Sequence, residues 1–160
     1  MLDALTSASR KAPNDREIAV RRGELLSQAG RLDEASGVLN AVLRHRFHPG
    51  AAAELGFVKL RQNQPADAMR LLKAALARSP NLAKAHYYLG AALTQAGEVS
   101  AAEAEYRTAD RLAPSDPRPL GALCAMLAQN HREAEAAALK KELADRFPEQ
   151  APRYIAECKP

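Results

Sequence analysis

Apolar and small residues recur in blocks of about a dozen positions, each block carrying a stripe at the 3.6-residue helical period, with short polar, Gly- or Pro-bearing breaks between them. The pattern predicts a first set of helices near 17–29, 51–63, 83–96 and 118–129, and a second set near 32–46, 65–78, 100–112 and 132–146. Within each pair the break is a turn: Ala29-Gly30-Arg31, Asn63-Gln64-Pro65, Ala96-Gly97-Glu98 and Asn130-His131. Pro65 suits the first position of a helix, where its missing N–H is not needed.

The blocks repeat. Gly23, Gly56, Gly90 and Cys124 are small residues spaced by 33, 34 and 34, and Ala35, Ala68, Ala102 and Ala136 keep the same spacings. Pro80, Pro114 and Pro148 recur every 34 residues, with Phe47 standing in the first unit, and Leu55, Leu89 and Leu123 form a fourth series. Series in common register at this period indicate stacked supersecondary units. A small residue in the first helix and an Ala in the second let two backbones approach closely, and the Pro ends the second helix.

These residues resemble the tetratricopeptide repeat family. Residues 83–116 carry the fullest match: Tyr87, Tyr88, Leu89-Gly90, Gly97, Ala102, Tyr106, Ala109 and Pro114. The resemblance implies an all-α, right-handed α-solenoid of antiparallel helix pairs, with four repeats at about 16–48, 49–82, 83–116 and 117–150, and a C-terminal cap or tail over 151–160. Arg22, Lys59 and Cys124 depart from the pattern, replacing an apolar residue, a large apolar residue and Gly. Residues 1–15 are expected to form a partial repeat, its second helix only, or an N-terminal cap: Ala8 and Pro13 lie 34 residues before Val42 and Phe47, and a missing first helix would leave Leu2 and Leu5 uncovered. The expectation is a segment cut from a longer repeat protein, or an open end covered by a second copy in a homodimer.

The family's first helices line a concave groove, so the resemblance places a partner there. One stripe per unit runs Val20, Glu24, Ser27; Ala53, Phe57, Leu60; Tyr87, Ala91, Thr94; and Gly121, Ala125, Ala128, with Arg61, Lys84, Gln95, Arg118 and Gln129 as polar edges. Phe57, Leu60 and Tyr87 are the expected anchors for a protein or peptide; the alternative is that they pack against adjacent helices. Gly121 and Ala125 are expected to leave room for partner side chains. Glu24 would repel a carboxylate, which argues against the chaperone-tail clamp found in some relatives.

Composition narrows the remaining classes. Aromatics make up 4% of the chain and Trp is absent, so Ala and Leu carry the packing, as suits closely approaching helices. The net charge of +4 is spread over interspersed signs rather than gathered into a nucleic-acid-binding stripe. Cys124 and Cys158 form no CxxC motif and are expected as a small buried residue and a tail residue, without a disulfide framework. No phosphate loop, HExxH or GxSxG occurs, and His45 and His48 lack an obvious third ligand, so no catalytic, cofactor or metal site is expected. Without a signal-peptide pattern at Met1 or a long apolar run, the chain as written is expected to stay in the cytoplasm. The function expected is an interaction scaffold; the other reading is an accessory repeat region of a larger enzyme or envelope-assembly protein.

Overall fold

A computed structural model describes residues 16–159. Their regular structure is entirely helical, and they divide into two compact units, unit 1 up to Pro80 and unit 2 from Asn81 onward. Unit 1 contains α1 (Arg16–Gln28), α2 (Leu32–His45), α3 (Pro49–Arg61) and α4 (Pro65–Arg78). Unit 2 contains α5 (Ala83–Gln95), α6 (Val99–Leu112), α7 (Arg118–Gln129), α8 (Glu133–Arg146) and α9 (Ala151–Glu157). The half repeat expected over 1–15, and the homodimer contact attached to it, lie outside the described residues. No helix among the described residues is long and apolar enough to cross a membrane.

The turns within hairpins share one geometry. Gly30, Asn63, Gly97 and His131 have φ of 78°, 58°, 77° and 59°, the left-handed conformation that ends a helix and reverses the chain. After each, a backbone N–H reaches back five residues: Arg31 to Leu26, Gln64 to Lys59, Glu98 to Leu93 and Arg132 to Leu127, all at 2.9 Å. The left-handed residue itself donates three residues back, to Ser27, Leu60, Thr94 and Ala128. These are Schellman turns, and they satisfy carbonyls that the helix end would otherwise leave open.

The small residues act where the two helices of a hairpin touch. A Cβ on Gly23 would come within 2.6 Å of Leu39, one on Gly56 within 2.8 Å of Leu72, and one on Gly90 within 2.7 Å of Tyr106. These three first helices, α1, α3 and α5, lack a side chain where the partner helix inserts one, and that vacancy sets the approach of the two backbones.

In unit 1 the buried core joins Leu26, Ala35, Leu39, Val42, Ala51, Leu55 and Val58. His48 links its hairpins. The ring Nδ1 accepts the Ala51 N–H at 3.1 Å, capping α3, while Nε2 lies 2.8 Å from Glu17 Oε1 on α1. Unit 2 is tied by Arg–carboxylate contacts. Glu103 on α6 accepts Arg132 at 2.6 Å from the start of α8, and Arg146 at the other end of α8 reaches Asp110 at 2.8 Å. Burial raises the Glu103 carboxyl, but its hydrogen bonds from Arg132 and Arg107 outweigh that and hold it below the ordinary value.

The expectation for the cysteines is overturned. Cys124 and Cys158 are joined in a disulfide across a separation of 34 residues, with Cα atoms 5.4 Å apart. The separation equals the repeat period, so the two occupy the same register position in α7 and just after α9, and successive repeats bring such positions side by side.

Candidate functional site

Each unit places a half-buried aromatic ring on the first helix of a hairpin with a guanidinium over it. In unit 1 the Arg61 guanidinium lies 5.9 Å from the Phe57 ring centroid, one helical turn along α3, and also reaches the Ser27 carbonyl at 3.4 Å. In unit 2 the Arg118 guanidinium, on α7, lies 5.4 Å from the centroid of Tyr87 on α5. Both distances are in the range of cation–π attraction.

The unit 2 cluster is the more closely constrained. Asp116 accepts Arg118 Nε at 2.9 Å and Nη2 at 2.6 Å, and its Oδ1 also accepts the Arg118 backbone N–H at 3.0 Å, at the start of α7. Burial alone would raise the Asp116 carboxyl; Arg118 outweighs it, with the positive charge of Lys84 adding, and Asp116 stays below its ordinary value. The fork-shaped pairing fixes the guanidinium plane over the ring. Tyr87 in turn meets Tyr88 at 5.5 Å and Tyr106 at 6.1 Å between centroids. Burial pushes the Tyr87 phenol up against the pull of Arg118, and the charges of Asp116, Tyr154 and Glu157 add to the rise.

Beneath this surface Tyr106 is buried, and its phenol is pushed up by burial to about 12, against a lowering contact with Thr94. The Thr94 hydroxyl lies 2.9 Å from the Gly90 carbonyl and 3.2 Å from the Tyr106 hydroxyl.

The remaining residues of the expected stripe divide by burial. Ala53 and Leu60 are buried, and Val20 packs against the unit 1 core. Glu24 is half-buried and pairs with exposed Arg21; Lys84 and Ala91 are half-buried, and Gln95 is exposed. The room expected at Gly121 is taken within the chain: a Cβ there would fall 2.4 Å from the Tyr154 ring of α9. His86 is half-buried, with Nδ1 2.6 Å from Glu105 Oε2, joining α5 to α6. Among the described residues no group of His, Cys, Asp and Glu is arranged to hold a metal. Sequence reasoning missed Asp116 and Tyr154. The Asp-Pro-Arg order at 116–118, with an acid two residues before the Arg at a helix start, is the signal available for the first.

Comparison with known proteins agrees with this architecture. Residues 54–117 match a tetratricopeptide repeat family model. No match is found among curated protein sequences. Among solved structures, MamA from Desulfovibrio magneticus RS-1, residues 41 to the end, is 26% identical over 93% of this chain and 85% of its own, with a TM-score of 0.73. TTC0263, a thermophilic tetratricopeptide-repeat protein of Thermus thermophilus, is 19% identical over 89% of this chain and 80% of its own, with a TM-score of 0.78. YrrB, a tetratricopeptide-repeat protein with an unusual peptide-binding site, is 17% identical over 92% of this chain and 77% of its own, with a TM-score of 0.68. The helix register, the family model and the solved structures converge: the chain carries tetratricopeptide repeats, matched by the family model over residues 54–117, in an all-α solenoid of the kind that serves as a protein-interaction scaffold.

Proposed function

We propose that the chain binds a peptide or a helix of a partner protein on its first helices, each unit offering its own anchor: Tyr87 with Arg118 in unit 2, and Phe57 with Arg61 in unit 1. The observation that carries this reading is the recurrence of a half-buried ring under a guanidinium in both units. A ring pinned in this way offers rigid contact area at little entropic cost, and tyrosine and arginine dominate interface hot spots. Asp116 offsets the charge of Arg118 and fixes its geometry, so the platform is already ordered before a partner arrives. Ala91 leaves space beside Tyr87, with Lys84 and Gln95 as the polar rim of unit 2, and Glu24 is the polar rim position of unit 1. Ala53, Leu60, Val20 and Thr94 serve the packing beneath. Binding is the whole of the proposed activity; no chemical step is assigned.

Peptides selected from a displayed random library against the full chain test this directly. Tyr87→Ala and Phe57→Ala are expected each to weaken the selected peptides by about 1–3 kcal/mol, roughly 5- to 150-fold in Kd, with little movement of the melting temperature. Unchanged affinity in both variants, or a loss of several degrees in both, would return the rings to the core and end the reading.

A further inference from the structure

Helix α9 has seven residues, well below the roughly 12–15 that an isolated helix needs to persist in water. Its hold on unit 2 comes from three places. Ala151 is buried at its start, the Tyr154 ring fills the notch left by Gly121 in α7, and Cys158, fully buried, is bonded to fully buried Cys124. Where α1, α3 and α5 carry Gly23, Gly56 and Gly90, α7 carries Cys124, and Cys158 follows one period later. The bond thus adds a covalent tie to the packing of α9 on unit 2, at the register position that glycine holds in α1, α3 and α5.

We propose that Cys124–Cys158 is a redox latch on α9. As a disulfide it pins α9 against α7 and α8. Reduction breaks the Sγ–Sγ bond by exchange with a dithiol reductant: two electrons and two protons pass to the cysteines, and the reductant becomes the disulfide. The freed α9 then frays, uncovering the Gly121 notch and the buried side of α7, and withdrawing Tyr154 and Glu157 from the surroundings of Tyr87. Both cysteines are fully buried, so a thiolate reaches a sulfur only after α9 has opened. The latch stays closed in an oxidising compartment and opens in a reducing cytoplasm, so its state follows where the chain resides. This inference is independent of peptide binding.

The test uses the full chain, folded with an oxidised and reduced glutathione couple. Maleimide labelling in denaturant, read by mass spectrometry, is expected to find no free thiol before reduction and two after dithiothreitol. Hydrogen exchange over 151–158 is expected to be at least about tenfold faster in the reduced chain, while 83–112 keeps its protection. Tyr154→Ala, with the disulfide intact, is expected to speed reduction about tenfold, because opening precedes attack. Two free thiols after oxidative folding, equal protection of α9 in both states, or a reduction rate that Tyr154→Ala leaves unchanged would overturn the latch. C124A/C158A is expected to match the reduced chain in exchange; should that variant fail to fold, the oxidised and reduced wild-type chains decide the matter alone.

Discussion

Units 1 and 2 are written on the same repeat frame and are held together by different chemistry. Unit 1 fills the vacancies at Gly23 and Gly56 with leucines and links its hairpins through the His48 ring. Unit 2 fills the vacancy at Gly90 with a tyrosine, carries all four tyrosines of the chain, straps α6 to α8 with Arg–carboxylate pairs and closes its end with a disulfide. In the chain-entropy account a loop of that length adds about 4 kcal/mol against unfolding, whereas partly exposed ion pairs add about 1 kcal/mol or less each. The period therefore specifies where two helices meet, and leaves open what fills the contact.

Alkaline titration should separate the units most strongly. Tyrosine in an unfolded chain ionises near pH 10, while Tyr106 keeps its proton in folded unit 2 to about 12. Between those values the folded state binds more protons than the unfolded state. The contribution is present in full below pH 10 and is lost as pH rises toward 12, on the order of 2–3 kcal/mol in total. Tyr87 acts in the same direction. With no Trp in the chain, tyrosine fluorescence reports unit 2 alone. Denaturant melts followed by that signal should shift steeply across this range in wild type and less in Tyr106→Phe; equal shifts would remove Tyr106 from the account.

Gly90→Ala and Gly56→Ala sharpen the same contrast. The new methyl meets the Tyr106 ring in one case and the branched end of Leu72 in the other. The ring is held by Thr94 and flanked by Tyr87, while a leucine can yield by rotating its side chain. Gly90→Ala should cost about 2 kcal/mol by overpacking, and Gly56→Ala less than about 1 kcal/mol after the helix-propensity gain of alanine is subtracted. Chemical denaturation of both variants checks the order, and a larger loss at Gly56 would reverse the comparison.

The smallest effect lies in the turns. His131 adopts the left-handed conformation that Gly30 and Gly97 occupy without a Cβ. His131→Gly should stabilise unit 2 by up to about 1 kcal/mol, seen as a rise in denaturation midpoint. A fall would mean that the exposed ring makes a contact worth more than the backbone strain it causes.

The candidate site was only partly legible in the sequence. Periodicity puts Phe57, Tyr87, Arg61 and Arg118 on first helices because a 3.6-residue stripe identifies the face of a helix. It puts Leu60 and Ala53 on the same face, and both are buried, because a stripe does not report how wide the covered band is. The stripe also reads Arg118 as an open polar edge, although Asp116, two residues away, fixes it in place.

The hairpins, their turns and the sites of close approach were all readable along the chain, since each follows from residues within one period: a glycine, a left-handed turn residue, a proline. What lies across from them was settled by packing in three dimensions. The Gly121 notch is filled by Tyr154, 33 residues further on, and Cys124 finds Cys158 at 34. The cysteine spacing was written in the chain as plainly as the glycine spacing. Its meaning depended on repeats stacking in register, which places residues one period apart side by side, and that is a property of packing between helices rather than of any helix alone.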